Sequence, residues 1–279
     1  MDSNGYVMDA KEIERRISLG RAFTKCAMDE DDGFVSDQQR KLPQPPLVKA
    51  SVMDKSIRLP RDFDGLNLTL DYAGLVSSRR TRRVYTGEAL TLLELSFLLW
   101  ASQGVQSVRG DRYATLRTTP SGGARHPFET YLVVNAVESL EPGKYRYLPM
   151  THALEYLGVV EDRENTVTAM LWGQRFGAKA AVAFFFSCVP YRAEWRYGIA
   201  AHRIVMVDLG HVGQALYMAA EALGLGTCGI GAFSQSVCDE VFSFDGQEEY
   251  TVYAQPVGRY AASNAPKETE FYAFLNEEK

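Results

Sequence analysis

The chain has 279 residues, 46% of them hydrophobic and 23% charged, with a formal net charge of -5. That is enough apolar material for one sizeable core, and the acidic balance argues against a general nucleic-acid or anionic-membrane surface. No apolar run reaches the roughly 18 to 20 residues of a membrane span, and the polar start MDSNGYVMDAKEIERR is neither a secretory signal nor a typical transit peptide.

Residues 1–66 read as an N-terminal extension, 67–265 as the main folded unit and 266–279 as a C-terminal tail. In the extension, a helix is expected from Lys11 to Ala27 behind an Asp9 cap. The acidic run Asp29 to Asp32 and the prolines Pro43, Pro45 and Pro46 follow it. Such segments cannot bury enough apolar surface to fold alone, so the extension is expected to be either mobile or draped over the core.

Arg79-Arg80-Thr81-Arg82-Arg83 comes next. Four arginines in five residues repel one another unless an anion sits among them, and the guanidinium fork matches a phosphate. A solvated or acid-paired basic face is the plainer alternative. Thr91 to Glu94 forms a capping-box signature opening the apolar helix TLLELSFLLWASQG, which stops at Gly104.

Pro120-Ser121-Gly122-Gly123-Ala124-Arg125-His126-Pro127 precedes a strand. Its paired glycines permit close approach of backbone to a flat or anionic ligand, although a plain turn reads the same way. Pro127 is expected to hold His126 extended. FETYLVVNAV (Phe128 to Val137) and AAVAFFFSCV (Ala180 to Val189) read as buried strands, with Cys188 a buried small hydrophobe. Cys26, Cys188, Cys228 and Cys238 show no CxxC pair and no metal-ligand spacing with the four histidines, so unpaired thiols in a reducing cytoplasm, and no metal, are expected.

Arg196-Tyr197-Gly198 could line a pocket or cover a core edge. In the helix DLGHVGQALYMAAEALGLG, Leu209, Val212, Leu216, Ala219 and Leu223 recur at 3-4-3-4 spacing. That seam belongs either to the monomer core or to a subunit interface. His211 in the same helix is expected as a satisfied core histidine. Four glycines between Gly224 and Gly231 exceed what a helix stop requires and suggest a backbone amide presented to a ligand edge. YTVYAQPVG is a final strand. Helices and strands mix without regular βαβ periodicity, which gives an α+β class.

In this order, RRTRRVY, LLWASQGV, TTPSGGARHPFETYLVV, LEPGKYRYLP, WRYGIAAHRIVMVDLGHVGQALYMAAEALGLGTCGIGAF and YAQPVGR resemble the SagB/ThcOx-type branch of the nitroreductase superfamily over about Asp71 to Arg259. The resemblance implies an α+β nitroreductase-like fold, a central, mostly antiparallel sheet flanked by helices, in an intertwined homodimer with one FMN at each interface. It would move the Leu209 helix into the dimer core. It assigns Arg79, Arg80, Thr81 and Arg83 to the FMN phosphate and ribityl chain, with Arg259 completing the phosphate site. It brings Ser121, Gly122, Gly123, Ala124 and Arg125 to the flavin from the partner subunit, and sets Gly229, Ile230 and Gly231 at its N5 and O4 edge.

The implied activity is an FMN-dependent dehydrogenase of peptide azolines acting with biosynthetic partner proteins. The alternatives are an NAD(P)H-dependent reductase of nitro groups, quinones or unsaturated bonds, and a non-catalytic FMN-binding module. Tyr197 and Arg196 are the catalytic candidates. Azoline dehydrogenases of this branch carry Lys-Tyr there, and an arginine keeps the charge but is a poor base. Asp208 and Ala215 likewise stand where the branch has Glu and Asn.

Overall fold

The structure, a computed structural model, describes residues 9–25, 33–260 and 270; Cys26, Ala27, the run Asp29 to Asp32 and all of the tail but Glu270 lie outside the described residues. Helix α1 (Ala10–Thr24) starts where expected, with Asp9 Oδ1 accepting the Glu12 N–H at 2.8 Å. It buries no residue and leaves Ile13, Ile17 and Phe23 exposed.

Seven strands form the main sheet in the order β1-β6-β5-β4-β7-β9-β8, every neighbouring pair antiparallel. These are β1 (Ile57–Arg58), β4 (Phe128–Val134), β5 (Gly143–Leu148), β6 (Ala153–Gly158), β7 (Val182–Cys188), β8 (Leu225–Thr227) and β9 (Tyr250–Arg259). A separate hairpin pairs β2 (Val105–Arg109) with β3 (Ala114–Arg117). The remaining helices are α2 (Tyr72–Ser78), α3 (Leu92–Gln103), α4 (Arg163–Met170), α5 (Arg175–Ala178), α6 (Tyr191–Tyr197), α7 (Ala201–Ala222) and α8 (Gln235–Phe242).

The continuous apolar runs of β4 and β7 follow from coverage of both sheet faces, since every residue of either strand is buried. On one face, Leu132, Phe184 and Phe186 pack with Leu95, Leu98 and Leu99 of α3 and Leu209 and Leu216 of α7. On the other, Val133 and Phe185 pack with Val167 and Met170 of α4 and Phe242 of α8. Thr91 and Glu94 close the capping box that starts α3.

The two readings of the α7 seam separate cleanly. Leu209, Val212, Leu216 and Ala219 are buried within this one chain, and Leu223 packs against the same cluster. A second stripe on α7 carries Met206, Val207, Gly210, His211 and Gln214, all exposed. His211 therefore faces solvent and is not a core histidine, because it sits one position before the seam residue Val212 and points away from the sheet.

From residue 33 the extension is draped over the core. Its backbone is held by charged groups buried beneath it. Lys49 N–H donates to Glu129 Oε1 at 2.8 Å, Val52 and Met53 N–H donate to Glu155 Oε2, and Leu47 and Ala50 carbonyls accept from Arg117 and Arg146. Glu129 pairs with Arg192 and Glu155 with Arg146, all four side chains being 4% exposed or less. Removing one partner of such a pair costs about 3–5 kcal/mol. Through β1 the strap also supplies the edge strand of the sheet.

Candidate functional site

The expected site residues gather at two places along α7, with Arg259 apart from both. The first lies around Tyr217. Its hydroxyl accepts the Gly229 N–H at 2.7 Å and lies 3.3 Å from Thr81 Oγ1, and the Arg79 guanidinium sits 5.4 Å from its ring centre. Tyr217 thus joins the arginine segment to the glycine loop. Beside it runs a groove of about 340 Å³ lined by Met206, Leu209, Gly210, Gly213, Gln214, Tyr217 and Tyr253.

The glycines here serve different ends. Gly224 stops α7 at φ 67°. A Cβ on Gly229 would stand 1.8 Å from the Tyr253 hydroxyl, so no side chain fits. Ile230 exchanges both backbone hydrogen bonds with Ala254. Of the three expected amide donors, Gly229 and Ile230 are therefore spent inside the protein. Gly231 is exposed, has open space above it, and its N–H has no hydrogen-bond partner among the described residues.

The four arginines relieve their repulsion by splaying. Arg79 lies over Tyr217, Arg82 over Tyr260 at 4.0 Å and Arg83 over Phe176 at 5.8 Å, while Arg80 donates to the Ser77 and Arg79 carbonyls at the end of α2. Neither Arg79 nor Arg80 pairs with a carboxylate among the described residues. Arg259 instead forks onto Glu94, Nη1 and Nη2 lying 2.7 and 2.8 Å from its two oxygens. That pair ties the end of β9 to the start of α3.

The second place lies around Asp208. Its buried carboxylate accepts Ser121 Oγ–H at 2.6 Å and the Gly122 N–H at 3.0 Å, fixing the 3₁₀ turn Gly122–Ala124. Burial raises the Asp208 pKa, against the opposing effect of the Ser121 and Gly122 hydrogen bonds. Gly123 (φ 56°) packs so closely that a Cβ would stand 2.6 Å from Arg196 Nε and 2.7 Å from the Tyr197 hydroxyl. The structure so brings Ser121, Gly122, Gly123, Arg196 and Tyr197 together. Arg125 donates to the Gly123 and Tyr113 carbonyls. Ala124 adopts φ 53°.

His126 is not extended: it adopts φ 45°, because Ser121 Oγ accepts its N–H at 2.9 Å and closes the loop tightly enough to override the preference set by Pro127. Burial, then the neighbouring Arg117 charge, push its pKa down to about 3. On the far side of α3, Ser96, His152 and Tyr147 form a hydrogen-bonded chain at 2.8 and 2.7 Å. All three are 2% exposed or less and Ser96 donates to the Pro60 carbonyl, so no substrate reaches this hydroxyl.

Sequence reasoning missed Tyr217 as the link between two motifs. The only signal was its place one turn beyond Gly210, Gly213 and Gln214 on the exposed side of α7. From Asp208 to Tyr217 the helix rises roughly 13 Å at 1.5 Å per residue, so within one chain the two halves of the expected site are not joined. Among the described residues no three His, Cys, Asp or Glu side chains gather as a metal site, and no helix is long and apolar enough to cross a membrane.

The Nitroreductase family profile matches residues 76–259. A nitroreductase-family protein of Methanocaldococcus jannaschii is 36% identical over 181 residues, 65% of this chain and 87% of its own length. The trifolitoxin-processing protein TfxB of Rhizobium leguminosarum is 29% identical over 152 residues, 52% of this chain and 40% of TfxB. A Ralstonia eutropha nitroreductase structure superposes with a TM-score of 0.59 at 23% identity, covering 79% of this chain and all of that one. A chain of the Escherichia coli microcin synthetase McbBCD complex does so with 0.55 at 17% identity, covering 93% and 100%. The large antiparallel sheet with helices on both faces is the nitroreductase fold, and the chain belongs to the nitroreductase family of oxidoreductases.

Proposed function

We propose that this chain is an FMN-dependent oxidoreductase of the SagB/ThcOx-type branch, working as a homodimer on a peptide azoline. The observation that carries the reading is Tyr217, which holds the arginine segment and the glycine loop against one groove. The residues there fit the cofactor. Arg79 and Arg80 have no carboxylate to neutralise them, which suits a phosphate dianion with Thr81 and Arg83 beside it. Gly231 has a backbone N–H without a partner, which suits a ring-edge acceptor, and Gly229 and Ile230 hold that strand in place.

When bound, the flavin accepts or gives a hydride at its ring, with the protein tuning its potential. The side chains bind, orient and shield it. Arginine cations near the phosphate hold the charge, and the groove walls Leu209, Gly213 and Tyr253 exclude water from one side.

The dimer accounts for the rest. Ile199, Met206 and Val207 around the start of α7, and Leu70, Tyr72 and Val76 near its end, are between 45% and 83% exposed, and a second copy would cover them. A second copy on that surface would bring its Ser121 to Arg125 turn, with Arg196 and Tyr197, toward the first copy's Tyr217 groove. In that arrangement Arg259 supports the site through Glu94 and does not touch phosphate. A role in processing another molecule is supported by TfxB, whose name describes a trifolitoxin-processing protein. Arginine at 196 favours a second reading, an NAD(P)H-dependent reductase of nitro groups or quinones, since such turnover needs no amine base.

Purified protein should be yellow, with the absorbance of bound flavin, and elute as a dimer. Replacing Arg79 and Arg83 together by Ala should strip FMN while the far-ultraviolet spectrum stays unchanged. A colourless protein that cannot be reconstituted with FMN overturns the reading, and unaltered FMN affinity in the double variant overturns the phosphate site.

A further inference from the structure

Of the two catalytic candidates, Arg196 keeps its proton at any useful pH, and the Tyr197 hydroxyl, beside Gly123, receives no N–H donor among the described residues that would favour its ionised form. We propose that Tyr113 is the general base of this site, its phenolate taking the proton that a substrate loses as its hydride passes to oxidised flavin. The proposal rests on the flavoenzyme reading and deepens it.

Tyr113 ends the turn between β2 and β3 and is half-buried. Its oxygen accepts Gln38 Nε2–H at 2.9 Å and Arg196 Nη1–H at 2.7 Å, while its own proton has no acceptor among the described residues. Two N–H donors aimed at one phenol oxygen favour its ionised form over its neutral one. The Arg125 guanidinium lies 4.9 Å from the ring centre and donates to the Tyr113 carbonyl. Neither Arg125 nor Arg196 forms an ion pair with a carboxylate among the described residues. Both guanidinium groups lie beside the phenol, and their charge favours its ionised form.

The groups facing the phenol come from three elements: Gln38 from the strap, Arg196 from α6 with Tyr197 beyond it, and Arg125 behind the 3₁₀ turn. Asp111 and Arg112 precede it in its own turn. Burial alone would raise its pKa; the Gln38 hydrogen bond and the Arg196 and Arg125 charges outweigh burial and leave the phenol below its ordinary value. Through Arg196 and Tyr197 it adjoins Gly123, on the turn that the proposed dimer sets against the flavin.

The step balances. One substrate C–H bond breaks and its electron pair leaves with the hydrogen as hydride to oxidised flavin. A proton on the adjacent atom passes to Tyr113 Oη, forming its O–H bond, and the electron pair left behind becomes the new double bond. In the reductive direction the same hydroxyl returns the proton.

The test uses the full-length, flavin-loaded protein as wild type, Tyr113→Phe and Gln38→Leu. In a near-ultraviolet phenolate titration the wild type should show one phenol ionising below the usual value of about 10. Tyr113→Phe should lack it, and Gln38→Leu should shift it upward. Oxidation of a thiazoline-bearing peptide and NADPH-dependent reduction of p-nitrobenzoate supply the rates. Tyr113→Phe should lose roughly 10²- to 10⁴-fold in kcat with FMN content and KM retained, and Gln38→Leu should move the pH profile in step with the titration. An active wild type whose titration and rates are matched by Tyr113→Phe overturns the proposal. If Tyr113→Phe does not fold, an unshifted titration and pH profile in Gln38→Leu overturn it instead. A flavin-bound wild type inert toward both probes overturns the flavoenzyme reading, and this role for Tyr113 falls with it.

Discussion

At the Asp208 end of α7 the loop Ser121 to Ala124 is tied by a buried carboxylate that accepts from a hydroxyl and a backbone N–H. At the Tyr217 end the glycine loop is tied by a phenol and by the Ile230–Ala254 backbone pair, and the nearby cations Arg79 and Arg80 lack carboxylate partners among the described residues. The first loop is built to keep its shape without help, because a buried anion makes few, strong, directional bonds. In the second region the proposed phosphate would bring the charge that Arg79 and Arg80 lack. Arg125 and Arg196 at the first end lack a carboxylate too, so what separates the two ends is the buried anion that fixes the first loop.

The largest expected effect tests the rigidity of the Asp208 end through its loop histidine. His126 has a folded pKa of about 3 against an unfolded value near 6.5. Its contribution is therefore present above pH 6.5 and lost as pH falls through 3, amounting to about 3 kcal/mol by pH 4. His126→Asn, which tolerates the positive φ, should show a correspondingly smaller loss in urea midpoint between pH 7 and pH 4. An identical loss in both proteins would place the acid sensitivity elsewhere, His152 (about 4) being the next group.

Asp208→Asn should come next, destabilising by about 2 kcal/mol as a charged acceptor becomes a neutral one. Amide exchange at Gly122 should rise selectively, and uniform exchange would show that the loop does not depend on this carboxylate. Tyr217→Phe should cost about 1 kcal/mol while weakening FMN binding more than it weakens the fold. Arg79→Ala and Arg80→Ala should sit within about 0.5 kcal/mol of wild type in thermal unfolding yet lose affinity for FMN. Marked instability in either arginine variant would mean that the cations hold structure, and the contrast between the two ends would fail.

Local patterns made much of the fold readable. The Thr91 and Glu94 box, the apolar runs of β4 and β7 and the 3-4 seam of α7 each depend on neighbours within a few residues, and each appears at its expected place. The hairpin β2–β3, the pair β5–β6 and helix α8 carry weaker periodicity and were not anticipated. His126 and His211 departed from expectation because a serine five residues away and a rotation about the helix axis decided them. Tyr217 and Asp208 act across 136 and 87 residues of sequence, a span on which spacing is silent. The arginine segment stood out by its composition, but its splay over three separate rings was not legible there.

Most of the bonds that the strap from residue 33 to β1 makes reach partners far along the chain, such as Gln38 with Tyr113, Lys49 with Glu129 and Ser51 with Glu155. Such bonds cannot form until the sheet beneath them exists, so the strap settles after the sheet it covers. Until then the Glu129–Arg192 and Glu155–Arg146 pairs lack their cover. The strap is thus a closing seal over the sheet, and without it charge that the fold buries would be left open.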